Sequence, residues 1–224
     1  MIEGLSLWLA ATNSWIVAPS GPGGECVIID APPEPDAILA RLAQHELKLV
    51  ALIATHGHVD HVGGIGAVIR GTSQVPVHLH PGDRAMLGDP TSAGTLGRFL
   101  DLDALPGPPP ELVFDLDHGQ RVSGAGMVFT AIHTPGHTAG STCFLLETDG
   151  DPGVLFSGDH LFAGSVGRTD MPGGSTEQLM ESMATRILPL DDEILVLPGH
   201  GPTTTIGHER ATNPFLEKFR TGHG

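Results

Sequence analysis

Several residue types are scarce in this chain of 224 residues, and each shortage excludes a kind of protein. Tyrosine is absent, so no phenolic hydroxyl can contact a substrate. The two cysteines, Cys26 and Cys143, lie far apart in apolar segments, which argues against a disulfide framework and a thiolate metal cage. Lysine and arginine number 11 against 26 aspartates and glutamates, and the net charge of −15 repels phosphate backbones and anionic membrane surfaces. We therefore expect neither nucleic acid nor a membrane as a partner.

Long apolar runs are missing as well. No stretch of ~18 consecutive apolar residues occurs, and residues 1–10 lack a basic leader ahead of a long apolar segment. We therefore expect a soluble, cytoplasmic protein. Apolar residues still make up 40% of the chain against 17% charged residues, a balance typical of a globular protein. The length favours a single domain over residues 1–224 with one sizeable core.

Short apolar runs of strand length recur along the chain. They predict ten strands, at residues 5–10, 14–17, 26–29, 50–54, 75–79, 112–114, 127–132, 142–146, 154–156 and 194–197. Helical spacing predicts helices at residues 36–45, 61–70, 175–188 and 213–220, and Ser175 suits the N-cap of the third. This order of elements favours an α/β sandwich in which helices cover the sheets. Residues 87–110, rich in glycine, proline and aspartate, predict a long loop or lid.

Histidine is abundant, with 13 copies, and it is concentrated in the segment Thr55-His56-Gly57-His58-Val59-Asp60-His61. This segment follows directly on residues 49–54, which predict a strand buried on both faces. Ligand sites in α/β folds lie just beyond the carboxyl ends of such strands. In an extended segment the first two histidines point the same way, while the aspartate and the last histidine project elsewhere. Four ligands in so short a segment suit two neighbouring cations better than one tetrahedral ion.

The same pattern recurs after three further predicted strands. His137 ends a T-P-G-H turn, Asp159 ends S-G-D, and His200 ends L-P-G-H. In all three, glycine immediately precedes the candidate ligand, which suits a tight turn that presents one side chain. In the histidine-rich segment we expect Gly57 to allow a sharp turn, and Gly63-Gly64 to let the following helix approach the site closely.

Four stretches of the sequence together resemble the metallo-β-lactamase fold superfamily, and within it the short, single-domain glyoxalase II-like hydrolases. They are THGHVDH, TPGHT, GDHLFAGSVGRTDMPGG and LPGHGPTTTIGHERATNPF, and they span residues 55–215 in the order that the family requires. The resemblance implies a four-layer αββα sandwich. It also implies two metal positions bridged by Asp159, the first held by His56, His58 and His137 and the second by Asp60, His61 and His200. Zinc is the commonest occupant of such sites, but imidazoles and carboxylates also admit iron and manganese.

The activity that the resemblance implies is hydrolysis of a small-molecule thioester such as S-lactoylglutathione. Two divalent cations that share a water lower its pKa toward ~7 and yield hydroxide without a side-chain base. Asp60 and Asp159 would orient that water and offset the charge of the metals, and a thiolate leaves without strong acid assistance. One feature departs from the larger members of the family, which carry a C-terminal helical domain that helps to grip glutathione. Only residues 201–224 follow His200 here.

A second activity fits the same residues. A persulfide dioxygenase of this fold holds one iron with two histidines and a carboxylate, by position His56, His137 and Asp159. The stretch LFAGSVGRTDMPGG looks more hydrolase-like, so thioester hydrolysis is the preferred interpretation. Lactam hydrolysis is disfavoured because we find no secretory leader, and a non-catalytic metal scaffold is disfavoured because the ligand set is complete.

Two further side chains are secondary candidates. Arg168 could hold a substrate carboxylate by a bidentate contact, or it could form a structural ion pair with Asp170, which is the preferred interpretation. His160 stands where similar sequences often carry a small hydroxyl residue. We expect it either to donate a hydrogen bond to a ligand or to line the rim of the site.

Overall fold

A computed structural model describes residues 1–87, 107–148 and 150–220. The loop or lid predicted at residues 87–110 therefore lies largely outside the described residues. In the part of the chain that is described, no helix is both long and apolar enough to cross a membrane. A single domain over residues 1–224 stays a prediction.

Two large sheets and one small hairpin contain the strands. In chain order the strands are β1 (Ile2–Leu7), β2 (Thr12–Val17), β3 (Glu25–Ile29), β4 (Lys48–Ile53), β5 (Val77–Leu79), β6 (Val113–Asp115), β7 (Arg121–Gly124), β8 (Met127–His133), β9 (Thr142–Thr148), β10 (Asp151–Gly158), β11 (Leu161–Phe162), β12 (Ser165–Val166), β13 (Leu195–Pro198) and β14 (Thr204–Thr205). The first sheet has the order β1-β2-β3-β4-β5-β6. The second has the order β14-β13-β10-β9-β8-β7, and β11 pairs with β12 alone.

The first four helices lie in connections between parallel strands, and the last two follow the final strand. In chain order the helices are α1 (Pro35–Gln44), α2 (Val59–Val62), α3 (Ile65–Gly71), α4 (Thr176–Ser182), α5 (Ile206–Thr212) and α6 (Glu217–Arg220). Strands β3, β4, β5 and β6 are mutually parallel, and so are β10 and β13. Parallel neighbours need a crossover connection, which places the helices on the outer faces of the sheets. Because β8 and β10 are both antiparallel to β9, the strands β8, β10 and β13 end at the same edge.

Three apolar layers hold this arrangement together. The central layer lies between the sheets and joins Val27, Ile29 and Ile53 to a set of phenylalanines, namely Phe129, Phe144 and Phe156. On the far side of the first sheet, buried residues of α1 and α3 pack on Ile28 and Leu52. On the far side of the second sheet, residues that follow α4 and residue Ile206 of α5 pack on Leu155 and Val196. The predicted four-layer αββα sandwich is confirmed.

Each of the ten predicted strands overlaps an observed one, but the first was placed too late in the chain. Strand β1 ends at Leu7 because the next four residues form the hairpin turn, with Trp8 at φ 60° and Ala11 at φ 52°. The prediction missed β7, β11, β12 and β14, which are two to four residues long and lack an extended apolar run.

The helix prediction needs four corrections. The helix predicted at residues 213–220 is a 3₁₀ turn, Pro214–Leu216, followed by α6. The helix predicted at residues 61–70 is two helices, α2 and α3, which are interrupted at Gly63-Gly64. The helix predicted at residues 175–188 is α4 followed by a π-helical turn, Met183–Ile187, and Ser175 caps it as expected by accepting from Gln178 N. Helix α5 was missed, although Thr205 caps it by accepting from His208 N.

Gly64 allows α3 to start against the segment that follows β3. Its amide donates to Ala31 O at 2.8 Å, and a Cβ at this position would lie 2.1 Å from Pro32 O. A side chain would therefore push the helix away from this backbone. The close approach at Gly64 is thus to the segment that follows β3, whereas the sequence analysis expected one to the site.

We expect Gly64→Ala to lower the free energy of unfolding by about 1–3 kcal/mol, because the backbone must move to admit the methyl group. Gly71→Ala is the matched control, since its methyl would meet only the end of the Leu39 side chain, which can change rotamer. Denaturant unfolding of both variants measures the difference. Equal stability of the two variants would contradict the account.

Candidate metal centre

Seven side chains meet at the edge where strands from both sheets end. His56, His58, Asp60 and His61 follow β4, and the other three follow β8, β10 and β13, namely His137, Asp159 and His200. Within the described residues, three groups of three have ligand atoms that all lie within 4.8 Å of one another. These groups are His56–His58–His137, His56–His61–Asp159 and Asp60–His61–His200. The structure therefore brings together all seven residues that the sequence singled out.

The first group, which we call the imidazole trio, consists of His56, His58 and His137. The Nδ1 atom of His58 lies 3.0 Å from Nε2 of His56 and 2.9 Å from Nε2 of His137. All three side chains are buried. Two of them come from the first sheet and one from the second, so the trio exists only because the sheets face each other.

The second group, the mixed trio, consists of Asp60, His61 and His200. The Nε2 atoms of His61 and His200 are 3.3 Å apart, and Oδ2 of Asp60 lies 3.3 Å from Nε2 of His200. The hydroxyl of Thr12 donates to the same Asp60 oxygen at 3.1 Å. A carboxylate and two imidazoles thus converge beside the imidazole trio.

Asp159 lies between the two trios. Its Oδ2 is 3.5 Å from Nε2 of His137 and 3.4 Å from Nε2 of His200, while its Oδ1 is 3.3 Å from Nε2 of His61. Oδ1 is buried and has no hydrogen-bond partner among the described residues. An unpartnered, buried carboxylate oxygen is costly unless a cation neutralises it. One carboxylate therefore reaches both trios, as a bridging ligand must.

Hydrogen bonds to the outer ring nitrogen fix the orientation of three of the histidines. Nδ1 of His137 donates to Arg168 O at 2.7 Å, and Nδ1 of His200 donates to Ala10 O at 3.1 Å. Nδ1 of His61 donates to the carboxylate of Asp30 at 2.7 Å. Since these oxygens can only accept, Nδ1 carries a proton in all three rings, and Nε2 is the nitrogen that faces the other ligands.

Asp30 is a functional residue that the sequence analysis missed. It is buried directly after β3, at φ 60°, and it accepts from both the amide and the hydroxyl of Thr55 at 2.7 Å. That hydroxyl lies 3.1 Å from Nδ1 of His56, so Asp30 orients His61 directly and His56 through Thr55. The signal was available, because Asp30 is a lone carboxylate at the end of an apolar strand.

Asp83 is a second residue that was missed, and it fixes the backbone around the imidazole trio. It is buried and accepts from Gly57 N at 2.9 Å, Gly140 N at 2.7 Å and the Thr138 hydroxyl at 2.6 Å. A Cβ on Gly57 would lie 2.9 Å from Cβ of Asp83. Glycine at position 57 is therefore explained by this close approach, whereas the sequence analysis attributed it to a sharp turn.

Burial keeps the first two histidines of the imidazole trio neutral. It lowers the pKa of His58 to about 4, and the neighbouring His137 acts in the same direction. The pKa of His56 is held well below its usual range, by burial first and then by His61 and His137. Both imidazoles are therefore unprotonated at neutral pH, and this is the form that binds a metal.

In the mixed trio, interactions between charged groups determine the pKa values more than burial does. Burial alone would lower the pKa of His61, but the surrounding carboxylates, that of Asp159 foremost, raise it well above its usual range. Burial would also lower the pKa of His200, but its hydrogen bonds to Asp159 and Asp60 outweigh this effect and raise the pKa to about 9. For Asp60, burial is outweighed by His61 and His200, and the pKa falls to about 2. The carboxylates thus remain ionised and attract positive charge, which protons on the imidazoles or a bound cation can supply.

The two secondary candidates lie at different depths. The guanidinium of Arg168 is exposed and pairs with Asp170 through two contacts, at 2.7 and 2.8 Å. Its backbone carbonyl is the group that contacts His137, and its substrate role stays a prediction. His160 is buried, and neither of its ring nitrogens has a hydrogen-bond partner in the described part of the chain. His160 therefore donates no hydrogen bond to any of the proposed ligands.

Comparison with known proteins identifies the family. The family model of the Metallo-beta-lactamase superfamily matches residues 7–200. The chain belongs to this superfamily of metal-dependent hydrolases. An uncharacterized protein of Mycobacterium tuberculosis is 41% identical over 224 residues, which cover 97% of this chain and 98% of the relative. The hydroxyacylglutathione hydrolase GloC of Haemophilus influenzae is 36% identical over 196 residues, which cover 84% and 86% of the two chains.

Solved structures show the same architecture. The B3 metallo-beta-lactamase BLEG-1 is 34% identical with a TM-score of 0.85, covering 96% of this chain and 99% of its own. TTHA1623, in a di-iron-bound form, is 37% identical with a TM-score of 0.79, covering 96% and 100%. ETHE1 from Myxococcus xanthus is 26% identical with a TM-score of 0.74, covering 100% and 92%.

We expect His58→Ala to lower both the metal content per chain and the turnover, because it removes the imidazole that lies close to both other members of its trio. His208→Ala is the matched control, since this histidine is exposed on α5. Elemental analysis of purified protein and initial rates measure the two effects. Full metallation with full turnover in His58→Ala would refute the ligand assignment.

We expect Asp30→Asn to weaken metal binding about 10–100-fold, the usual effect of removing an outer partner of a ligating histidine. Asparagine tolerates the left-handed backbone at this position but offers one acceptor oxygen and no charge. Competition with a chelator measures the affinity, and Asp36→Asn at the exposed start of α1 is the control. Unchanged affinity would show that Asp30 does not orient His61.

Proposed function

We propose that the protein is a metal-dependent hydrolase that cleaves a thioester such as S-lactoylglutathione. The observation that carries the proposal is the convergence of six side chains in two trios, with Asp159 close to both. The similarity to GloC supports a thioester of glutathione as the substrate. The proposed first ion is held by His56, His58 and His137, and the second by Asp60, His61 and His200.

The proposed ligands fit such ions on chemical grounds. Imidazole nitrogens and carboxylate oxygens suit zinc, iron and manganese alike. Zinc is our preferred occupant, while the similarity to the di-iron form of TTHA1623 supports iron as an alternative. A pair of divalent cations, when bound, supplies an activated water and a Lewis acid for the substrate carbonyl.

The residues of the chain itself contribute positioning and charge. The ionised carboxylates of Asp60 and Asp159 provide negative charge beside the proposed ions and can accept hydrogen bonds from a water. The Thr12 hydroxyl restrains Asp60 through Oδ2. Carbonyl groups accept from Nδ1 of His137 and of His200, which directs Nε2 of both rings towards the proposed ions. We retain Arg168 as a candidate contact for a substrate carboxylate, because its pairing with Asp170 is exposed and open to exchange.

A persulfide dioxygenase is the second candidate, supported by the similarity to ETHE1. It would place one iron on His56, His137 and Asp159. However, Nδ1 of His58 lies within 3.0 Å of ring nitrogens of both histidines, so three imidazoles and not two converge at this point. This crowding favours the hydrolase. The similarity to BLEG-1 adds lactam hydrolysis as an outcome to be tested.

The test uses protein reconstituted separately with zinc, iron and manganese. We expect it to cleave S-lactoylglutathione without oxygen, because hydrolysis needs only water, and His58→Ala to lose this activity. His208→Ala should retain it. Release of free thiol measures cleavage, and an oxygen electrode records uptake with glutathione persulfide.

Oxygen uptake with the persulfide, without anaerobic thioester cleavage, would establish the dioxygenase instead. Turnover of a cephalosporin with a higher kcat/KM than that for the thioester would establish a lactamase. Either result would overturn the proposal.

A further inference from the structure

A carboxylate buried outside the metal centre joins three segments of the chain. Glu209 of α5 is fully buried. Its Oε2 accepts from Gly164 N and from Asn213 Nδ2, both at 2.8 Å, and its Oε1 accepts from the Thr204 hydroxyl at 2.6 Å. A buried carboxylate is costly unless its oxygens accept hydrogen bonds, so these three donors stabilise Glu209 in its buried position.

Asn213 completes this arrangement. Its side chain is buried, and Nδ2 donates to Ser165 O at 3.0 Å as well as to Glu209. Its Oδ1 accepts from Phe215 N and thereby fixes the amide orientation. Ala163 and Gly164 connect β11 to β12, with Gly164 at φ 71°, and Ser165 is the first residue of β12. The tip of the β11–β12 hairpin is therefore held both at an amide and at a carbonyl. We call Glu209 and Asn213 the latch.

The two arms of the hairpin lead to the metal centre. The hairpin begins just after Asp159, and it ends before Arg168, whose carbonyl accepts from Nδ1 of His137. On the hairpin itself, the ring of Phe162 lies 6.1 Å from the ring of His200, edge to face. Phe162 is partly exposed beside the mixed trio. It therefore offers an apolar surface to a molecule that enters next to His200.

We infer that Glu209 and Asn213 are positioning residues that hold the β11–β12 hairpin as a wall of the substrate pocket on the His200 side. The inference rests on the proposed thioester hydrolysis where it concerns the substrate. The latch touches none of the seven proposed ligands. Its loss acts on the wall and on binding of the substrate more than on the ions, whose ligands are held by Asp30, Asp83 and backbone carbonyls.

The test compares Glu209→Ala with Glu209→Gln. Glutamine keeps an oxygen for Gly164 N and Asn213 Nδ2, and its amide can donate to the Thr204 hydroxyl, which is able to accept. Alanine removes all three contacts. In the metal-loaded protein, we expect Glu209→Ala to raise KM for S-lactoylglutathione about tenfold, with kcat within about threefold and unchanged metal per chain. Glu209→Gln should restore the wild-type KM.

A second readout does not depend on the substrate. Hydrogen–deuterium exchange of peptides that cover residues 161–168 should be faster in Glu209→Ala and normal in Glu209→Gln. If the wild-type protein cleaves no thioester, the proposed function fails while this measurement still tests the latch. An unchanged exchange rate in Glu209→Ala, or a fall in kcat and metal content with unchanged KM, overturns the inference.

Phe162→Ala covers the case in which Glu209→Ala does not fold. This variant removes the apolar wall and leaves the latch in place, so it should raise KM to a similar extent while metal content remains normal. An unchanged KM in Phe162→Ala would show that the hairpin does not form a wall of the substrate pocket.

Discussion

Five histidines turn ring nitrogens towards one another, as close as 2.9 Å, and this crowding is the constraint on which the rest of the structure depends. Facing lone pairs repel unless a proton or a cation lies between them. The fold holds the rings in this arrangement from outside, with oxygens bound to the outer nitrogens of His61, His137 and His200. Three carboxylates in and beside the site supply the negative charge that favours positive charge there.

The sandwich architecture is what allows this arrangement. Each sheet supplies only part of either trio, because β4 precedes four of the proposed ligands and β8, β10 and β13 precede the other three. The apolar layer between the sheets fixes their separation, with three buried phenylalanines on the second sheet opposite aliphatic residues of the first. Close approaches of backbone, as at Gly57 and Gly64, then bring the connecting segments within reach. The positions of the proposed ligands at the strand ends therefore depend on how the two sheets pack.

The ligand set was predictable because each proposed ligand follows an apolar strand and stands in a recognisable short motif. Asp30 also follows an apolar strand, but as a lone carboxylate without a neighbouring ligand it gives a weak signal. Glu209 gives no local signal at all. On α5 it looks like an ordinary surface charge, and only the tertiary contact with Gly164 reveals that it is buried. Asp83 was hidden for the same reason, since its three donors come from distant segments.

The ends of several helices and strands also depend on contacts between residues that are distant in the sequence. The apolar spacing from residue 61 onward continues through Gly63-Gly64, so periodicity predicted one helix. The break lies at Gly64, whose amide donates to Ala31 O in the segment that follows β3. The short strands β11 and β12 likewise form where the chain returns to the site, and they have no apolar run of their own.

The most direct test of the two-ion site is anomalous X-ray scattering from a crystal of the metal-loaded protein, recorded at the absorption edge of the metal. We expect two peaks, one among His56, His58 and His137 and the other among Asp60, His61 and His200, with Asp159 contacting both. A single peak, or peaks away from these side chains, would contradict it.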